Sequence, residues 1–123
     1  MSLALLLLTL TVASCPFPGS AAGKYVKKGG NFLQIEETKD GEVRLSLFAS
    51  YHMNTCDVQT DALKVENCKV TYVDRDSNCR IRVTLQEHTA GVEQNGDCGC
   101  GLNVSLSGVY RKQSSTSGKK GVK

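Results

Sequence analysis

The sequence predicts a single small all-β domain, an antiparallel β-barrel or sandwich of seven to eight strands stapled by disulfides. Three observations carry that reading. Apolar and polar residues alternate with period 2, glycine-, asparagine- and aspartate-rich turns separate the runs, and six cysteines fall within 123 residues. With 40% hydrophobic residues, 6% aromatic and no Trp, the core is modest, and a domain near one hundred residues gains from cross-links.

Each run can be placed by its parity. "VRLSLFASY" sets Val43, Leu45, Leu47, Ala49 and Tyr51 on one face, and "CRIRVTL" sets Cys79, Ile81, Val83 and Leu85 opposite Arg80, Arg82 and Thr84. "CKVTYV" groups Cys68, Val70 and Tyr72. "CGCGLNVSLSG" groups Cys98, Cys100, Leu102, Val104 and Leu106, so a strand is expected there as well. Turn signals stand at Gly29-Gly30-Asn31, Lys39-Asp40-Gly41, Asp76-Ser77-Asn78 and Asn95-Gly96-Asp97. Inward parity switches from odd to even between Tyr51 and Cys56, which calls for a bulge or a tight corner at Met53–Thr55.

The N-terminal segment belongs to a different class. Leu3–Ala13 is an eleven-residue apolar run, right for the hydrophobic part of a signal peptide and too short to span a bilayer. Two processing routes are open. Cleavage after Ala22 makes residues 1–22 a signal peptide and starts the mature chain at Gly23. Alternatively "VASC" (Val12–Cys15) resembles a lipobox, making Cys15 the lipidated first residue of a membrane-anchored protein. Both routes export the chain to the periplasm or cell surface. No Lys or Arg precedes the apolar run, which leaves room for an earlier start.

Charge divides the remainder. Residues 1–22 carry none, so the net stays +3, and residues 111–123 hold Arg111, Lys112, Lys119, Lys120 and Lys123 without an acid. The body from 23 to 110 therefore carries ten basic and twelve acidic residues, a net of −2. The expected organisation is a β domain over 23–111 followed by a disordered basic tail over 112–123. The basic tail could brush an anionic surface or nucleic acid, but a solvated tail is the expectation; this is not a basic domain, and no nucleic acid is expected as a partner. A membrane enters only through a lipid on Cys15.

The cysteines read as a disulfide framework in an oxidising compartment. Cys15 leaves the count by either route, removed or acylated, so Cys56, Cys68, Cys79, Cys98 and Cys100 remain and one of the five lacks a partner within the chain. Cys98 and Cys100 do not suit one another, because side chains two apart on a strand lie roughly 7 Å from each other. Each should reach a different strand. A zinc set fits less well, since the spacing is C-x-C and only His52 and His88 offer imidazoles. No metal and no cofactor is expected.

Taken together, "GKYV" (Gly23–Val26), "FLQI" (Phe32–Ile35), "HMNTC" (His52–Cys56), "CRIRV" (Cys79–Val83) and "CGCGLNVSLSGVYRK" (Cys98–Lys112) resemble a group of small exported bacterial envelope proteins of poorly defined function, loosely similar to lysozyme inhibitors. The resemblance implies that Cys56 and Cys79 are the partners of Cys98 and Cys100, in an order it leaves open. Cys68 has no counterpart in that group, which makes it the candidate free thiol. The chain departs from the group in the longer His52–Cys56 spacing and the shorter Cys98–Cys100 spacing.

In function, the chain reads as a binding protein rather than an enzyme. There is no G-x-S-x-G motif, and neither histidine has an Asp at a recognisable triad spacing. "DRDSN" (Asp74–Asn78) lacks the spacing of an EF-hand and reads as a turn. The resemblance implies a protein partner, a lysozyme-like enzyme or a toxin; the alternative is a structural envelope lipoprotein anchored through Cys15 with no enzyme target. Exposed polar groups at strand ends, His52, Asn54, Asp74, Arg75 and Asp76, are the expected contacts. "SGVY" would add Ser107 and Tyr110 by resemblance, although the residues themselves also fit a kink at Gly108 with Tyr110 covering the core.

Overall fold

The computed structural model describes residues 20–101 and 103–113. Its eight strands are β1 (Gly23–Lys27), β2 (Asn31–Glu37), β3 (Val43–Tyr51), β4 (Asn54–Gln59), β5 (Lys69–Asp74), β6 (Cys79–Leu85), β7 (Thr89–Gly96) and β8 (Gly108–Lys112). They form one antiparallel sheet in the order β4-β3-β2-β1-β8-β7-β6-β5, curled into a half-barrel. Two four-stranded meanders are thus joined where the first strand pairs with the last, Tyr25 opposite Lys112 and Val26 opposite Arg111. The edge strands β4 and β5 are neighbours in sequence.

Alternation builds the core as the sequence implies. Tyr25 pairs with Leu33, Leu33 with Leu47 and Leu47 with Val58, a row of inward side chains across four strands. In the other meander Val70, Val83 and Val92 form the matching row. All seven are buried. Burial of an aliphatic side chain is worth about 1.5–3 kcal/mol, so these rows are a principal source of stability. Phe32 and Phe48 take the outer face, stacked with ring centroids 5.6 Å apart.

The corner at Met53 is a two-residue hairpin turn. Tyr51 pairs with Asn54, and His52 takes the left-handed conformation with φ 58°. The parity switch marks this change of strand, so the corner alternative holds without a bulge, but the turn is His52–Met53, and Asn54 and Thr55 already belong to β4. Other expectations need correction. Among the described residues of 98–107 no strand forms: Cys98, Gly99 and Asn103 have φ of 54°, 73° and 62°, which a strand cannot contain. Asn95 and Gly96 are not a turn but the end of β7, paired with Arg80 and Cys79. Strand β7 itself has no clear apolar run, because Gly91 and Gln94 interrupt it.

The cysteines pair as Cys56–Cys100 and Cys79–Cys98. Cys68 is also disulfide-bonded and is not a free thiol. The readings for Cys15 and the apolar run lie outside the described residues. Disulfides on this scale place the folded domain in an oxidising, extracytoplasmic compartment.

Candidate functional site

The antiparallel order brings four connections to one pole of the half-barrel. They are the β1–β2 turn, the His52–Met53 turn, the Arg75–Asn78 turn and the long connection 97–107. At the opposite pole lie the Thr38–Glu42 turn, the 60–68 connection and the exposed His88. The sequence's candidate contacts His52, Asn54, Asp74, Arg75, Asp76 and Ser107 therefore converge on a single end.

A covalent strap shapes that end. Cys98 is tied to Cys79 at the start of β6, and Cys100 to Cys56 on β4, so Cys98-Gly99-Cys100 crosses from one meander to the other near the open seam between β4 and β5. Left-handed φ at Cys98 and Gly99 turns the two thiols in different directions, which an extended segment would not do. Backbone bonds seat the strap: Gly101 N donates to Thr55 O at 3.1 Å and Cys100 N to Asp97 O at 3.0 Å. Gly101 lies so close to Asn54 that a Cβ there would come within 2.6 Å of the Asn54 Cβ.

Two surfaces flank the strap. On the β3–β4 corner, Met53 is 92% exposed and Tyr51 49%, and the His52 ring packs edge-on against Tyr51 with centroids 4.2 Å apart. On the β5–β6 corner, Asp74 organises the turn: Oδ1 accepts from Asp76 N at 3.1 Å, and Oδ2 accepts from the Ser77 hydroxyl at 2.9 Å. Arg75 and Asp76 are left pointing outward, exposed. Between the corners lies a cavity of about 290 Å³ lined by Asp57, Gln59, Tyr72, Asp74 and Ser77, with the Cys79–Cys98 bond in its wall. Burial, then the charge of Asp74, its hydrogen bond and the charge of Asp61, raises the Tyr72 pKa, so its hydroxyl stays protonated as a donor. A second groove of about 300 Å³ lies beyond Asp74 and includes Arg75, Asn78 and Arg80.

Two candidates change role. Tyr110 is fully buried, its hydroxyl donating to Leu106 O at 2.7 Å, so it is a core residue and offers no contact surface. Burial pushes its pKa up to about 12. Ser107 is engaged within the fold: Oγ accepts from Gln94 N at 2.9 Å and its carbonyl accepts from Lys27 Nζ at 3.1 Å. Sequence reasoning missed Gln94 and Tyr51, and took in Met53 only as part of the corner His52–Asn54. Parity put Tyr51 with the inward residues, and the strand's turn at His52 is what brings it out. No signal marks Gln94, a polar residue inside a poorly alternating segment.

The zinc alternative is answered by chemistry, since Cys79, Cys98 and Cys100 are spent in disulfides. Compared with protein-family models, curated proteins and solved structures, the chain gives no match in any of the three.

Proposed function

We propose that this is an exported, non-enzymatic binding protein whose strapped pole docks on another protein, a cationic wall hydrolase of the lysozyme type or an envelope toxin enzyme. The observation that carries the reading is the union of an exposed Tyr51–His52–Met53 tip with the charged Arg75–Asp76 turn on one rigid, doubly cross-linked frame. Interfaces draw on Tyr, Met and Arg and depend on preorganisation, because each ordered side chain subtracts from affinity. Two disulfides at the pole reduce that cost. The cavity beside Asp57 and Asp74 presents acceptors to an inserted cationic side chain.

The test is calorimetric titration against a panel of cationic muramidases, with residual wall hydrolysis measured in parallel. Binding that drops at least tenfold in Met53→Ala and in Arg75→Ala/Asp76→Ala, at unchanged melting temperature, supports the reading. Full binding by both variants contradicts the pole assignment, and absence of binding to every panel member removes the lysozyme-type partner.

A further inference from the structure

We infer that the mature protein retains Ser20–Ala22, so that the chain is cut upstream of Ser20 and not after Ala22. The inference rests on the reading of the N-terminal segment as an export signal. It comes from a motif that occurs twice, Gly23-Lys-Tyr25-Val-Lys27 on β1 and Gly108-Val-Tyr110-Arg-Lys112 on β8, the two strands that join the meanders.

The two copies clasp each other. Lys27 Nζ stands 5.9 Å from the centre of the Tyr110 ring, and Lys112 Nζ stands 5.8 Å from the centre of the Tyr25 ring. Each tyrosine is buried and donates its hydroxyl to the carbonyl four residues earlier, Tyr110 to Leu106 at 2.7 Å and Tyr25 to Ala21 at 2.8 Å. Each lysine ends on a carbonyl upstream of the partner's glycine, Lys27 on Ser107 one residue before Gly108 at 3.1 Å and Lys112 on Ser20 three residues before Gly23 at 2.7 Å. In the β8 copy the segment before the glycine is plainly part of the domain. Residues 20–22 serve β1 in the same way.

A start at Gly23 would dismantle that half of the clasp. Tyr25 would lose the acceptor for a buried hydroxyl, Lys112 would lose its carbonyl, and the buried Ala21 would leave the core. Glu37 would lose the Ser20 hydroxyl that donates to it at 2.8 Å. Every change disfavours the shortened chain.

The full 123-residue chain is expressed in a bacterial host, recovered from the extracytoplasmic fraction and its first residue identified by intact mass and N-terminal sequencing. A start at or before Ser20 is expected; a start at Gly23 overturns the inference while leaving export intact. A chain that keeps Met1 and stays in the cytoplasm overturns the export reading instead. The physical basis is then tested alone, by exporting the domain behind a foreign signal fused at Ser20 or at Gly23. The Gly23 form should melt lower by about 5–10 °C, and Tyr25→Phe should narrow the gap. Equal melting temperatures overturn the clasp as the physical basis of the inference.

Discussion

The side-chain carbonyl of Gln94 accepts the backbone N–H of Leu106 at 2.7 Å, twelve residues further along the chain. The amide nitrogen of the same residue donates to Gly96 O at 2.9 Å, and its main-chain N–H donates to Ser107 Oγ at 2.9 Å. One polar residue on β7 thus ties down both ends of the 97–107 connection that carries the strap. Because the connection makes few backbone ladder bonds, its own polar groups need such partners.

Gln94→Ala should therefore destabilise the domain by about 1–3 kcal/mol, since it leaves the Leu106 N–H without its acceptor. Gln94→Glu keeps the acceptor and removes the donor, and should cost less. Chemical denaturation of the two variants beside the parent checks the order.

The disulfides should differ in worth. Cys56–Cys100 spans 44 residues and Cys79–Cys98 spans 19. Loop-closure entropy then predicts losses of about 4 and about 3 kcal/mol when each pair is replaced by serines. Loss of either pair should also weaken partner binding, because each frees one end of the strap. Denaturation midpoints and titration of the two double variants measure both effects.

Alkali should act through Tyr110. Burial holds its pKa at about 12 in the folded protein, against an ordinary value of 10.0. The folded state thus keeps a proton that the unfolded state gives up. The stability this provides is complete below pH 10 and is lost as pH rises toward about 12. Tyr25 and Tyr72 are raised in the same direction. Unfolding followed between pH 8 and 12 should show stability falling above pH 10, with a shallower fall in Tyr110→Phe, which at neutral pH is weaker by about 1 kcal/mol.

Gly108 should resist substitution. Its φ is 144°, a region that side chains rarely adopt, and a Cβ there would meet Lys27 Cε at 2.6 Å. Lys27 can swing aside, but the backbone cannot, so Gly108→Ala should cost about 1–3 kcal/mol by thermal unfolding.

Much of the architecture is legible in the chain. Period-2 alternation locates β3, β5 and β6, and local turn chemistry locates the corners at Gly29-Gly30 and Asp76–Asn78, because both signals depend on neighbours in sequence. The separate destinations of Cys98 and Cys100 are legible too. The segment 98–107 misleads for a physical reason: Val104 and Leu106 are buried with the spacing of a strand, while the left-handed turns at Cys98 and Asn103 leave no trace in hydropathy. Tyr110 is ambiguous for a related reason. An aromatic beside Ser-Gly suits a contact loop as well as a core, and only its burial under the sheet, with its hydroxyl on Leu106 O, decides. The gathering of His52, Asn54 and Arg75 at one pole is a property of strand order, which pairing across long separations determines.

Docking through the strapped pole is tested most directly by titrating the isotopically labelled domain with a cationic muramidase and following amide chemical shifts. Perturbations concentrated at His52–Asn54, Arg75–Asp76 and Gly99 are expected. Perturbations centred on Lys39–Asp40 and His88 at the opposite pole, or none at all at saturating partner, would contradict the assignment.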